Sequence, residues 1–217
     1  MTDDIATRPV EGAELAAYVA AKLCHDFVSP AGAVMSGLDL LNDPSAQDMR
    51  DDALSLITQS AARMIALVHF CRVAFGAATS AERFTAEELR LLVAGLVEGG
   101  RATLDWRVSH TEFSKPAARA LINLASLTAG ALPSGGAAVV TAEQVGDQLV
   151  LRGLAEGARA RLKPEAAVGL AGQRLSEGLA GQWIQPYWLW LTVADTGGSL
   201  EVMTDDGRVE IVARMPS

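Results

Sequence analysis

Apolar residues recur at Leu15, Val19, Leu23, Phe27, Ala31, Val34, Leu38 and Leu41, in steps of three and four. That spacing predicts one long amphipathic helix over about 11–41, with a buried stripe along one side. A second series, Met49, Ala53, Leu56, Ile57, Ala61, Met64, Val68, Cys71 and Phe75, has the same period and predicts a second helix to about Phe75. Between them, Asn42-Asp43-Pro44-Ser45 is dense in helix-stopping and capping residues and predicts a tight turn. Two long helices joined by a short turn make an antiparallel hairpin. Their apolar stripe is too broad for one hairpin to bury, so two copies are expected to pair into a dimeric four-helix bundle.

The texture changes after Phe75. The small-residue run Gly76-Ala77-Ala78-Thr79-Ser80 marks a domain boundary. Thr85 and Glu88 form a capping box for a helix through Leu96-Val97. Leu104 to Val108 alternates and predicts a strand, and Lys115-Pro116 opens a helix through Ala131. After the turn Leu132-Pro133-Ser134-Gly135-Gly136, two strands, Ala137 to Ala142 and Gln148 to Gly153, pair around Gly146-Asp147. Ala160 to Gly172 reads as a short helix. A further helix from about Gly181 to Ala194 carries Trp183, Tyr187, Trp188 and Trp190, the three tryptophans read as core rather than as a ligand platform. Ser199 to Met203 and Val209 to Met215 form a terminal hairpin around Asp206-Gly207. The fold class is α+β. Residues 1–10 are expected to be disordered, 11–77 to form the helical hairpin, and 81–217 to form an α/β sandwich.

Composition narrows the function classes. Half of the 217 residues are hydrophobic, but no uncharged apolar run approaches the ~18–20 residues of a membrane span. The N-terminus has no apolar signal segment, so a soluble, cytoplasmic protein without membrane contact is expected. The net charge of −8 argues against nucleic acid as the main ligand and permits a partner with a basic face. If the helices turn near Pro44, Cys24 and Cys71 are offset by about eight residues, or ~12 Å along a helix. That is too far for a disulfide, and reduced thiols are expected. His and Cys are too sparse and badly spaced for a zinc site.

One constellation stands out on the first helix. At ~100° per residue, His25 lies ~200° past Leu23 and so on the solvent face, which Ser29 shares. Pro30 has no N–H, so the carbonyl of Asp26 loses its helical partner and the helix is expected to bend or loosen there. Taken alone, these residues also fit an ordinary surface histidine. His69 and His110 stand by themselves and read as structural.

Longer segments carry a resemblance. Ala120 to Ala129, which contains Asn123, is followed by Leu132-Pro133-Ser134-Gly135-Gly136 and resembles the asparagine box of sensor histidine kinases. Glu177 to Ile184 resembles that family's last glycine-rich loop, and Gly197 to Val202 and Ala213 to Pro216 also match. His25-Asp26 with Pro30 resembles the kinases' phosphoacceptor box. Two departures matter. Leu127 stands where the kinases place a magnesium-binding asparagine, and leucine cannot ligate a hard cation. Leu154 to Arg159 lacks the Asp-x-Gly-x-Gly of the adenine loop. The combination resembles the ChpT-type histidine phosphotransferases of alphaproteobacteria. Leu23 to Pro30, Asp43 to Asp52, Arg72 to Ala77 and Gly157 to Leu162 all look like that family.

The resemblance implies a degenerate ATPase-like domain behind the hairpin and a phosphorelay function. His25 would accept a phosphoryl group from one receiver-domain aspartate and pass it to another, with Asp26 orienting the ring or handling its proton. No ATP, metal or other cofactor of its own is implied, magnesium arriving with the receiver. Receivers of hybrid kinases and response regulators are the implied partners, beside the homodimer. Ser29, with Val28, Gly32 and Met35 on the first helix and Met64, Leu67 and Phe70 on the second, are candidate receiver contacts. Two alternatives stay open: an ATP-dependent sensor histidine kinase core, which Leu127 opposes, and a non-catalytic dimeric receiver-binding scaffold.

Overall fold

The computed structural model describes residues 10, 12–76 and 82–217. The disorder expected for 1–9 and most of the expected boundary at 76–80 lie outside the described residues.

The hairpin consists of α1 (Gly12–Asn42) and α2 (Arg50–Ala74), joined by a turn that includes a short 3-10 segment at Gln47–Met49. The Asp43 carboxylate organises the turn, accepting from the Ser45 hydroxyl at 2.7 Å and its N–H at 2.8 Å. Those bonds favour the charged form and hold the Asp43 carboxyl below its usual range. Pro30 does not end the helix: α1 continues through it to Asn42. A proline removes one donor, and α2 packing alongside keeps the rest of the helix in register. The helices approach closely at Gly37, where an added Cβ would lie 2.6 Å from Ile57 Cγ1.

The remainder is an α+β layer pair. A five-stranded sheet has the order β2-β4-β5-β7-β6, built from β2 (Ala102–Trp106), β4 (Gly136–Val145), β5 (Gln148–Glu156), β6 (Ser199–Asp205) and β7 (Arg208–Pro216). β2 runs parallel to β4, and the other pairs are antiparallel. Alternation along β5 turns Leu149, Leu151, Gly153 and Ala155 inward. They meet α4 (Lys115–Gly130), whose residues from Leu121 to Ala125 are all buried. Gly153 allows this approach, since a Cβ there would sit 2.0 Å from the Thr128 hydroxyl. α3 (Ala86–Val97) begins with the expected Thr85–Glu88 capping box. α5 (Pro164–Leu170) is shorter than the predicted helix because Pro164 sets its first turn. α6 (Ala180–Ala194) completes the helical layer.

β1 (Arg83–Thr85) and β3 (Glu112–Ser114) pair as a second, two-stranded sheet that the sequence pattern missed. Each is three residues long, too short to show alternation. Their register sets Phe84 opposite Phe113, both buried.

The hairpin joins this layer pair at two places. At the start of α1, Val10 is buried and its N–H donates to the Tyr187 hydroxyl at 2.8 Å, so the chain is already ordered at a residue expected to be disordered. Leu15, Tyr18 and Val19 continue the contact against Trp183, Tyr187 and Trp190. Trp183 is a core residue, as expected, and stacks on the buried Tyr187 at 4.6 Å between ring centroids; Trp188 and Trp190 are half-buried. At the end of α2, Phe70, Val73 and Ala74 enter the main core with α3, α4 and the sheet.

Candidate functional site

His25 sits midway along α1 with its side chain 80% exposed. Its Nδ1 lies 3.2 Å from Asp26 Oδ1. Asp26 Oδ2 is 2.7 Å from the Lys22 ammonium one helical turn back. A carboxylate paired with an ammonium has only lone pairs to offer, so this contact is a hydrogen bond in the tautomer that carries the proton on Nδ1. In that tautomer Nε2, directed away from this bond, keeps its lone pair. On the α2 side the neighbour is Cys71. Burial pushes its thiol up to about 11, with the Asp26 carboxylate adding to the shift and Lys22 opposing it.

A groove of about 1270 Å³ opens beside His25. Lys22, His25, Asp26, Ser29 and Pro30 line it from α1, and Gln59, Arg63, Leu67 and Phe70 line it from α2. Its far wall belongs to the sheet domain: the end of α3 with the turn Glu98-Gly99-Gly100-Arg101, and Ser126 and Pro133 around the end of α4. Arg63 donates to the carbonyls of Leu96 and Gly95 across the groove, satisfying groups that a helix end leaves bare. Arg101 donates to the Pro133 carbonyl at 2.9 Å.

The expected site residues divide accordingly. His25, Asp26 and Ser29 share the groove, as do Leu67 and Phe70. Leu67 and Phe70 are not the exposed contacts expected of them: both are buried, Phe70 because the sheet domain packs over the end of α2. Val28 and Met35 are exposed, at 68% and 58%, and with Gly32 and the half-buried Met64 they lie outside the groove lining. Lys22, Arg63 and Arg101 were missed. Lys22 was legible as an i,i+4 partner of Asp26. The partners of Arg63 are 32 and 33 residues away and gave no local signal.

The asparagine-box segment is α4 itself. Asn123 is fully buried; its Nδ2 donates to the carbonyls of Ala74 (3.2 Å) and Arg119 (2.9 Å), and its Oδ1 accepts from Gln185 at 3.2 Å. Leu127, one turn on, packs against the core. Cys24 and Cys71 are free thiols, as expected.

A family model described as the histidine phosphotransferase C-terminal domain matches residues 86–208. The chain is 27% identical over 190 residues to protein phosphotransferase ChpT of Brucella abortus (strain 2308), covering 87% of this chain and 90% of that relative. A solved bacterial phosphotransferase superposes with a TM-score of 0.84 over 96% of this chain and 99% of its own, at 24% identity, a likeness of fold. A histidine kinase domain from the Erythrobacter litoralis EL346 blue-light-activated kinase covers 86% of this chain and 94% of its own at 12% identity and a TM-score of 0.48, too distant to carry an argument. Because the family match spans more than half of its 217 residues, this chain belongs to the histidine phosphotransferase family defined by that C-terminal domain, and its role is phosphoryl transfer in a phosphorelay.

Proposed function

We propose that His25 is the residue that carries the phosphoryl group, and that receiver domains dock over the groove beside it. The observation that supports this is an imidazole 80% exposed whose Nδ1 is tied to Asp26, which leaves Nε2 facing solvent. Nε2 attacks the phosphorus of the receiver's aspartyl phosphate in line. The P–O bond to that aspartate breaks, and its electron pair returns to the departing carboxylate. The Nδ1 proton stays in the hydrogen bond to Asp26, which stabilises the charge that develops on the ring. A second receiver's carboxylate then reverses the step. Phosphoryl transfer needs alignment and charge stabilisation more than covalent chemistry, and Lys22, Arg63 and Arg101 give the groove cations for an anionic phosphoryl group.

Magnesium belongs to the receiver in this reading. The buried, fully engaged Asn123 and the apolar Leu127 do not fit a nucleotide-bound magnesium, so no step runs through ATP. Residues 11–77 are the phosphotransfer hairpin and 81–217 its supporting sheet domain. The working unit is a homodimer in the cytoplasm. α2 with its leading turn, Gln47–Ala74, is long and apolar enough to cross a membrane by length and composition, with 17% of its most apolar window buried. Met35 and Leu38 on α1 and Leu54, Ile65 and Val68 on α2 leave apolar surface exposed. We assign that surface to a second copy rather than to lipid, because the exposed polar residues Thr58, Gln59 and Arg63 stand along the same helix.

The test is transfer between two receivers. Wild type should label on His25 alone, acid-labile and alkali-stable, by mass spectrometry at neutral pH. His25→Ala should abolish the relay while leaving stability within about 0.5 kcal/mol, as expected for an exposed helix residue. A label on another residue, or relay by His25→Ala, overturns the assignment. Receiver binding without transfer would leave the scaffold reading, and labelling from ATP alone would restore the kinase reading.

A further inference from the structure

We propose that Lys22 is a positioning residue for the transfer: its ammonium fixes the Asp26 carboxylate against Nδ1 of His25 and so keeps Nε2 free of a proton. The inference rests on His25 as the phosphorylated residue. Helical spacing puts Lys22 one turn before Asp26 and nearly one turn before His25, on one side of α1. Asp26 divides its two oxygens, Oδ2 to Lys22 at 2.7 Å and Oδ1 to His25 at 3.2 Å.

An i,i+4 ion pair is common and by itself means little. Burial sets this one apart. The Lys22 side chain is 12% exposed and that of Asp26 24%, while the His25 they support is 80% exposed. A lysine on a solvated face keeps its ammonium in water and samples many rotamers. Here it is withdrawn into the groove lining, with a carboxylate as its partner. The neighbouring Cys71 brings no competing charge, because its thiol stays protonated at neutral pH.

Two consequences bear on the reaction. A carboxylate bound on one side by an ammonium cannot swing freely, so its other oxygen stays on Nδ1. Without that hold, a neutral imidazole can move its proton to Nε2, and a protonated Nε2 cannot attack phosphorus. The ammonium also offsets the Asp26 charge, which would otherwise repel an incoming phosphoryl group.

The test uses the full chain. Imidazole 15N spectra read the tautomer of His25 without any transfer, with His69 and His110 as internal references. Wild type and Lys22→Arg should hold the proton on Nδ1, and Lys22→Gln should shift it toward Nε2. Labelling by phosphoramidate, a donor that needs no docking, should slow about 10-fold in Lys22→Gln, or ~1.4 kcal/mol of lost transition-state stabilisation. It should recover in Lys22→Arg. With a phosphorylated receiver as donor, kcat should fall with KM unchanged within about two-fold. In an Asp26→Asn background, Lys22→Gln should cost nothing further, because Lys22 acts through Asp26. Thermal melts identify any variant that fails to fold, and Lys22→Met then replaces Lys22→Gln, keeping the stem without the charge. An unchanged tautomer, an additive double variant or an effect confined to KM overturns the proposal. A label on another residue sinks the phosphoacceptor assignment instead, and the tautomer spectra still decide whether Lys22 holds Asp26.

Discussion

The side-chain amide of Asn123 donates to the main-chain carbonyl of Ala74 at 3.2 Å, inside the protein and across 49 residues of sequence. The Trp188 indole N–H donates to the same carbonyl at 2.8 Å, and Arg119 reaches the Gly76 carbonyl at 2.9 Å. The last carbonyls of a helix lack helical partners, and here α4 and α6 supply them. The joint between hairpin and sheet domain is thus a hydrogen-bonded latch. Phe75 and Gln185 beside it line the groove, so the latch helps to fix the groove's width.

Asn123→Ala should therefore destabilise the protein by about 1–3 kcal/mol, since it leaves the buried Gln185 amide without its acceptor and weakens the Ala74 contact. Urea unfolding measures this. A stability equal to wild type would mean that the latch is energetically idle.

Mg-ATP should leave the melting temperature unchanged at millimolar concentration. Only a ligand that binds the native state raises its stability, and at 100 times its Kd it would add about 2.7 kcal/mol. A saturable upward shift would overturn the proposal that no step runs through ATP.

Leu38→Glu should convert dimers to monomers or aggregates. Leu38 is 40% exposed on the single chain, and a dimer interface that buried it would have to bury an unpaired charge. Sedimentation at micromolar concentration reads the change, and wild type running as a monomer would refute the pairing.

Cys71 should resist alkylation at pH 8 while the exposed Cys24 reacts. Its folded pKa of about 11 lies above the thiol's ordinary 9.0, chiefly through burial. The folded state thus holds the proton more tightly than the unfolded state. The stability this contributes is full below about pH 9 and is lost as pH rises through about 11. Urea midpoints against pH for wild type and Cys71→Ala should diverge in slope across that window. Fast alkylation of Cys71 at pH 8 would show the thiol to be less protected.

Much was written in local spacing. The 3.6-residue period gave both hairpin helices, Thr85 with Glu88 gave the start of α3, and the glycines of Gly146-Asp147 and Asp206-Gly207 gave the turns of both β-hairpins. Gly146 and Gly207 do adopt positive φ there, +62° and +69°. The exposure of His25 followed from its angle to Leu23, because a helix fixes that angle whatever surrounds it. Tertiary packing decided the rest. Leu67 and Phe70 looked available on a hairpin considered alone and are buried, Phe70 because the sheet domain covers the end of α2. The pairing of β1 with β3, the parallel placement of β2 beside β4, the withdrawal of Lys22 into a groove and the use of Asn123 as a latch all join residues distant in sequence or depend on what covers them. Spacing along the chain encodes which side of an element is apolar, and only the packed structure sets what that side meets.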